Sequence, residues 1–196
     1  MLPKYCKTLS VAVLICSVGA CTVSPPVRFY VLQAHAQPTT AQPGIAKKPV
    51  IGIGPLSIPA LLERKQMVAR SDENTVELAE FDQWAEPLRD NVMQVLTQNL
   101  AAQVEYVVRP YPWSAYGPVN YHVVIDIDRF DTWPGHSVSF KARWSIIDDK
   151  AHAVVSNHRT VIEQPLSETS YAAGAKALSA VLHQFSQELA SALNQL

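Results

Sequence analysis

Cysteine, glycine and charge are all scarce in this chain. Its 196 residues include 3 Cys and 7 Gly, and Asp, Glu, Lys and Arg together make up 17%. Three cysteines, one left over after any pairing, are too few for a disulfide framework. Charge is nearly balanced, 16 basic against 17 acidic residues for a net charge of -1. That excludes a protein working through bulk basic charge, such as a general nucleic-acid binder. A low charged share with 48% hydrophobic residues also excludes a mostly disordered chain. No G-x-S-x-G, P-loop, H-E-x-x-H or C-x-x-C pattern occurs. Gly52-Ile53-Gly54 is only a fragment of a glycine-rich loop, with no helix after it to cradle a phosphate. The length suits one domain with a core of ordinary size.

What is present begins with an address. Met1–Lys7 carries Lys4 and Lys7 and no acid, and residues 9–18 are mostly apolar. Gly19 and Ala20 are small, and Cys21 follows. A basic start, a short apolar run and a small-residue cleavage site make an export signal, because the run falls short of the ~20 residues that span a bilayer. Val18-Gly19-Ala20-Cys21 looks like the lipobox of bacterial lipoproteins, in which the cysteine is acylated and becomes the mature N-terminus. Residues 1–20 are therefore expected to leave as a signal peptide, and 21–27 to form a lipidated tether. Losing Lys4 and Lys7 leaves 14 basic and 17 acidic residues in the 176 that remain, a net charge of −3. Cys6 and Cys16 leave too, so the exported domain has no thiol to pair and depends on its core. One acyl chain is a marginal anchor at ~0.8 kcal/mol per buried CH₂, and the several chains of a lipoprotein make a lasting one. Thr22 stands where inner-membrane retention typically uses Asp, which points to the outer membrane, facing the periplasm.

Residues 28–196 read as a single α+β domain. The pattern predicts a mostly antiparallel sheet, with a C-terminal three-strand meander packed by two amphipathic helices. Arg28–Leu32 is a candidate first strand. Gln33–Lys48, rich in polar residues with Pro38, Pro43 and Gly44, predicts a flexible loop. Seven of the 14 prolines lie between Pro25 and Pro59, which keeps this part of the chain extended. Val50–Ile58 is a strand broken at Pro55, suited to an edge or a bulge. Gln66–Arg70 and Val76–Glu80 flank a polar turn and predict a hairpin. Leu88, Val92, Val95, Leu96 and Leu100 predict a helix capped by Asp82 and ending near Gln103. Val104–Arg109 is a short strand stopped by Pro110-Tyr111-Pro112-Trp113. Tyr121, Val123, Ile125 and Ile127 alternate with His122, Val124, Asp126 and Asp128, and Val138, Phe140, Ala142, Trp144 and Ile146 alternate with polar residues. Such period-2 patterning predicts strands with one buried and one wet face, and Val154–Ile162 completes the meander. Tyr171, Ala175, Leu178, Leu182, Phe185, Leu189, Ala192 and Leu196 form the stripe of a long closing helix.

Chemistry-bearing residues are few. None of the six histidines stands in an i, i+4 pair, and a metal site needs three or four converging ligands. Asp126 and Asp128 project from one strand face with Asp131 close by. Paired carboxylates of this kind can act as acid and base. They equally suit a solvated strand face opposite Lys141 and Arg143. Nothing nearby supplies a nucleophile, so a hydrolase using Asp126 and Asp128 stands as the alternative reading. Among the aromatics, Trp144 fits the buried register. Tyr30, Trp84, Trp113 and Trp133 are the candidate partner contacts, since tryptophans at turns and helix starts often meet partners or lipid. They serve equally well as plugs over the ends of a small core.

Several segments together carry a resemblance. They are Pro25-Pro26-x-Arg28-Phe29-Tyr30-x-Leu32, Ile53-Gly54-Pro55-Leu56-x-Ile58-Pro59-Ala60-x-Leu62-x-Arg64, Phe81-Asp82-x-Trp84-Ala85-Glu86-Pro87-Leu88, Tyr111-Pro112-Trp113 and Arg129-Phe130-Asp131. In this order they resemble the PqiC-type (YmbA-like) ABC-type transport auxiliary lipoproteins, over nearly the whole mature chain. The Trp-Ala-Glu-Pro-Leu element is the most specific part, and the insert at Gln33–Lys48 departs from the pattern. The resemblance implies a non-enzymatic lipoprotein of the outer membrane without a cofactor. It implies a partner, an inner-membrane-anchored MCE-domain protein, with which phospholipid or other hydrophobic molecules move between membranes. It also implies assembly into a homo-oligomeric ring. A non-transport envelope scaffold is a further alternative.

Overall fold

The computed structural model describes residues 24–35, 48–113 and 117–196. The eight strands are β1 (Arg28–Tyr30), β2 (Val50–Ser57), β3 (Gln66–Arg70), β4 (Val76–Trp84), β5 (Val107–Pro110), β6 (Tyr121–Trp133), β7 (Ser137–Asp148) and β8 (Ala153–Pro165). Two helices, α1 (Leu88–Ala101) and α2 (Tyr171–Leu193), complete the α+β domain with a 3₁₀ turn at Ala60–Leu62.

All eight strands share one mixed sheet organised around β6. Along one edge β6 pairs with β7 over its whole length, and β7 then pairs with β8, so the expected antiparallel meander is present. The other edge of β6 is divided: β2 runs parallel to its start, and β3 meets it in parallel near its end. Beyond β2 lies β5, and beyond β3 lie β4 and then β1. The antiparallel ladders carry most of the registered pairs, but β1, β2 and β5 join the sheet only through parallel pairing.

Alternation places Val123, Ile125 and Ile127 on the buried face of β6. A register irregularity after Ile127 shifts the phase, so Phe130, not Arg129, is the next residue inside. Opposite stand Val138, Phe140, Ala142, Trp144 and Ile146 of β7, none more than 4% exposed. The α2 helix lays Leu178, Leu182, Phe185 and Leu189 on this face. The Phe140 ring sits 6.0 Å from that of Phe130, edge to face, and 4.8 Å from that of Phe185. Each such ring contributes about 1.5–3 kcal/mol through burial.

Several expectations change on contact with the fold. Asp82 does not cap the first helix. It lies in β4, which runs on to Trp84 because β1 pairs beside its last three residues. Pro87 takes the N-cap of α1 and offers no side-chain cap. β2 sits between β5 and β6 rather than at an edge, although its register does break between Ile53 and Leu56. The stripe of α2 ends on buried Leu193 and not on Ala192 and Leu196, the latter 42% exposed. A repeat of 3.5 drifts against the 3.6 residues of a straight helix, so the buried position moves by one. Among the described residues no helix is long and apolar enough to cross a membrane.

Candidate partner-docking groove

The chain enters the fold through a polar clasp. Asp82 is 4% exposed and accepts hydrogen bonds from the Tyr30 hydroxyl at 2.6 Å and from Arg28 at 2.9 Å. Burial alone would raise the Asp82 carboxyl, but the Arg28 and Tyr30 hydrogen bonds and the Arg28 charge outweigh it and hold the group below its ordinary value. The same burial, with the bond to Asp82, pushes the Tyr30 hydroxyl up. The backbone continues the clasp: Trp84 N–H donates to Lys65 and Ala85 N–H to Tyr30.

Past β1 the chain becomes a strap across the two helices. Leu32 N–H donates to Asn91 Oδ1 of α1 at 2.6 Å, Gln33 N–H to Ser179 Oγ of α2 at 3.1 Å, and His35 N–H to Asn99 Oδ1 of α1 at 3.0 Å. Asn91, Asn99 and Ser179 are all buried. Residues 33–35 of the expected flexible loop are thus held in place, whereas 36–47 lie outside the described residues. The His35 and His183 rings lie 5.2 Å apart. Burial, and then the His35 charge, lowers the His183 ring below its ordinary value.

Beside the clasp opens a groove of about 550 Å³. Its floor is apolar, made by Trp84, Ile58, Pro87 and Leu88, with Phe29 along one wall. Glu63, Arg64, Lys65, Glu86 and Arg89 add a rim of both charges, with Gln83 and Ala85 between them and the floor residues in the lining. Arg89 of α1 and Glu63 of the β2–β3 connection approach to 3.6 Å, a solvent-exposed pair that contributes little to stability. Phe29 is 64% exposed although it sits in a strand. The lining combines an apolar floor with a mixed-charge rim, the chemistry of a receptor for an apolar group. Arg89 also lines a second groove, of about 730 Å³, on the other flank of α1. That one is bordered by Pro55, Leu56, Met93, Tyr111 and Pro112. Both grooves are walled by the segments that carry the family resemblance.

The four candidate partner residues do not converge. Tyr30 is committed to Asp82. Trp84 is only 6% exposed and forms groove floor rather than a projecting contact. Trp113 lies over Gly52, where a Cβ would come within 2.8 Å of its ring, and near His122 with ring centroids 5.3 Å apart. That close approach is the use of Gly52. Trp133 packs against His136 at the far end of β6, ring centroids 4.6 Å apart. Cys21 lies outside the described residues. Phe29 and Arg89 were not among the candidates; a phenylalanine and an arginine beside a specific motif are silent until neighbouring segments meet.

The aspartates of β6 are gathered but occupied. Asp126 accepts from Ser57 Oγ at 2.5 Å. Asp128 accepts from Arg143 through two nitrogens, at 3.1 and 3.2 Å. Asp131 is held by Arg70 and Arg129 at 3.0 Å each. These are the contacts of a charged strand face tied to its neighbours, with Arg143 as the expected counter-ion.

Comparison with known proteins agrees with this arrangement. The family model for the ABC-type transport auxiliary lipoprotein component matches residues 30–190. Its description is that of a transport component, not of an enzyme. No curated protein matches the chain. One solved structure, of an uncharacterized protein, superposes with a TM-score of 0.70 at 16% identity, covering 86% of this chain and 99% of its own. A Xanthomonas campestris protein of the DUF330 family model superposes with a TM-score of 0.65 at 18% identity, covering 84% of this chain and 93% of its own. At such identities the likeness is one of fold.

Proposed function

The chain belongs to the ABC-type transport auxiliary lipoprotein family, and from that premise we propose that it is an outer-membrane lipoprotein docking an inner-membrane-anchored MCE-domain partner. In this reading the pair carries phospholipid or another hydrophobic molecule across the periplasm and maintains the envelope. Acylated Cys21 holds the protein on the membrane, and the subunits assemble as a homo-oligomeric ring. The family match over most of the chain carries the reading. The groove beside the clasp supports it: an apolar floor with a charged rim suits a protein surface. Cys21 precedes Arg28 by seven positions, so the tether extends at most ~25 Å. Phe29 and its groove would then stand close to the membrane that holds the anchor. Among the earlier candidates, Trp84 contributes as groove floor, while Tyr30 holds the wall through Asp82.

The test is co-purification of the intact lipoprotein from membranes in mild detergent. An MCE-domain partner should be recovered with it, and Phe29→Glu with Arg89→Glu should abolish recovery while leaving the melting temperature within a few degrees. Cys21→Ser should move the protein out of the outer-membrane fraction. Repeated recovery without an MCE-domain protein would overturn the reading.

A further inference from the structure

The two grooves beside α1 meet at one residue. Arg89, in the first turn of α1, lines both the groove of about 550 Å³ beside the clasp and the groove of about 730 Å³ on the other flank. Its side chain is 53% exposed. Its contacts with Glu63 at 3.6 Å and with Asp90 at 3.7 Å are both longer than a hydrogen bond. A guanidinium carries five N–H donors in a flat fork that matches a carboxylate. That fork stands between two apolar hollows and is spent on neither acidic neighbour. Arg64 and Lys65 share the first rim with it, so three cations there face two acids, Glu63 and Glu86.

The hollows differ in their walls. Buried Trp84 and Leu88 floor the first and belong to the core. The second is bounded by Met93, a side chain that adapts to what it meets, and by Tyr111, which is 52% exposed. A helix with its side chains is about 10–12 Å across, so a segment reaching from one flank of α1 to the other must set its apolar groups about that far apart. In an extended chain residues i, i+2 and i+4 point to the same side, and i and i+4 lie ~13 Å apart. The strap shows that such a crossing can be made without a helix: residues 32–35 pass over α1 and α2 outside any regular element, bound through Asn91, Ser179 and Asn99.

We propose that the two grooves form one bipartite site for an extended segment of a partner protein with the pattern apolar-x-acid-x-apolar. One apolar side chain enters the Trp84 hollow, the other lies between Met93 and Tyr111, and the carboxylate between them takes the Arg89 fork. The acid displaces Glu63 and Asp90, two exposed pairs that cost little to give up. All three contacts come from one face of the segment, and its alternate residues face solvent and are free to vary. The site deepens the docking role proposed above and rests on that reading; it adds the chemistry of the segment that docks.

The probe is a capped, fluorescein-labelled peptide, Gly-Ser-Phe-Thr-Glu-Thr-Leu-Ser-Gly. It is titrated by anisotropy against the intact lipoprotein in phosphatidylcholine vesicles, with empty vesicles as the blank. Saturable binding is expected, and exchanging the central Glu for Lys should weaken it roughly tenfold or more. Arg89→Glu should reverse the preference and favour the Lys peptide. Tyr111→Ser and, separately, Met93→Gln should each weaken binding of the Glu peptide several-fold, with melting temperatures within a few degrees of wild type. Moving the leucine one residue closer to the acid turns it to the opposite side and should cost about as much as the charge exchange. The MCE-domain partner takes no part in this titration, so its absence from the co-purification and a failed titration are separate results. A lack of saturable binding overturns the proposal. So does binding indifferent to the charge exchange or to both far-groove variants, or tighter binding of a peptide that spaces the same three groups for a helix.

Discussion

The meander and the strands that precede it are built to opposite rules. β6, β7 and β8 are 12 or 13 residues long, follow one another in sequence, and exchange backbone hydrogen bonds over twelve registered pairs in each ladder. Their cohesion is a layer of apolar side chains beneath α2. β1 to β5 are 3 to 9 residues long, and β1, β2 and β5 join by parallel pairing that brings distant segments together. They share the core through Ile51, Ile53, Met67 and Trp84, and their edges are tied by single polar contacts: Asp82 with Arg28 and Tyr30, and Asn91, Asn99 and Ser179 with the strap. A long local ladder spreads its stability over many equivalent contacts. A patchwork of short strands adds a few point contacts to its share of the core, and the two grooves described above open on that side.

The contrast can be broken most strongly from the meander. Phe140→Ala removes a ring that is fully buried between Phe130 and Phe185. It should cost about 3–5 kcal/mol of global stability, read by denaturant unfolding. Asp82→Asn should cost less, about 1–3 kcal/mol, because it weakens charged hydrogen bonds on the patchwork side. Its signature should be local: amide exchange rises over 28–35 and 82–85 while the meander stays protected. Equal acceleration in β6–β8 would show that the two regions are one cooperative unit. Ser179→Ala removes the acceptor of the Gln33 amide and should cost about 1 kcal/mol, with faster exchange confined to the strap.

The smallest effect is one of pH. The His183 ring is lowered below its ordinary 6.5 by burial and by His35. Its neutral form therefore contributes stability in full above about 6.5, and that contribution is lost as pH falls from there through the lowered folded value. Unfolding followed between pH 7.5 and 5.5 should show this decline, and His183→Asn should flatten it. An unchanged slope would mean that His183 does not report on the strap.

The legible parts of the fold were those with a period. Alternation from Tyr121 to Ile127 and from Val138 to Ile146 located the meander, and the stripe from Tyr171 to Leu189 located α2, because solvent sorts side chains by face along regular elements. Asp82 was read as a helix cap, since an aspartate followed by Pro87 and an apolar stripe has that local pattern. Its actual partners are 52 and 54 residues away, at Tyr30 and Arg28. The strap carried one signal: Asn91 and Asn99 lie on the apolar stripe of α1, where a buried amide needs a partner. Nothing local identified residues 32–35 as that partner. The groove was partly legible through Trp84-Ala85-Glu86-Pro87-Leu88, a specific motif, but its Phe29 wall and Glu63–Arg89 rim come from separate segments.

By itself the sequence determined the α+β class, the meander, the two helices and the family, all of which rest on local periodicity or contiguous motifs. The export signal and Cys21 belong to the same order of information and await the fractionation experiment above. Only the tertiary structure decided the division of one edge of β6 between β2 and β3, the clasp at Asp82, the strap over the helices and the two grooves that meet at Arg89. These depend on which distant segments come to lie side by side. Backbone hydrogen bonds and point contacts between remote residues decide that, and neither leaves a periodic trace along the chain.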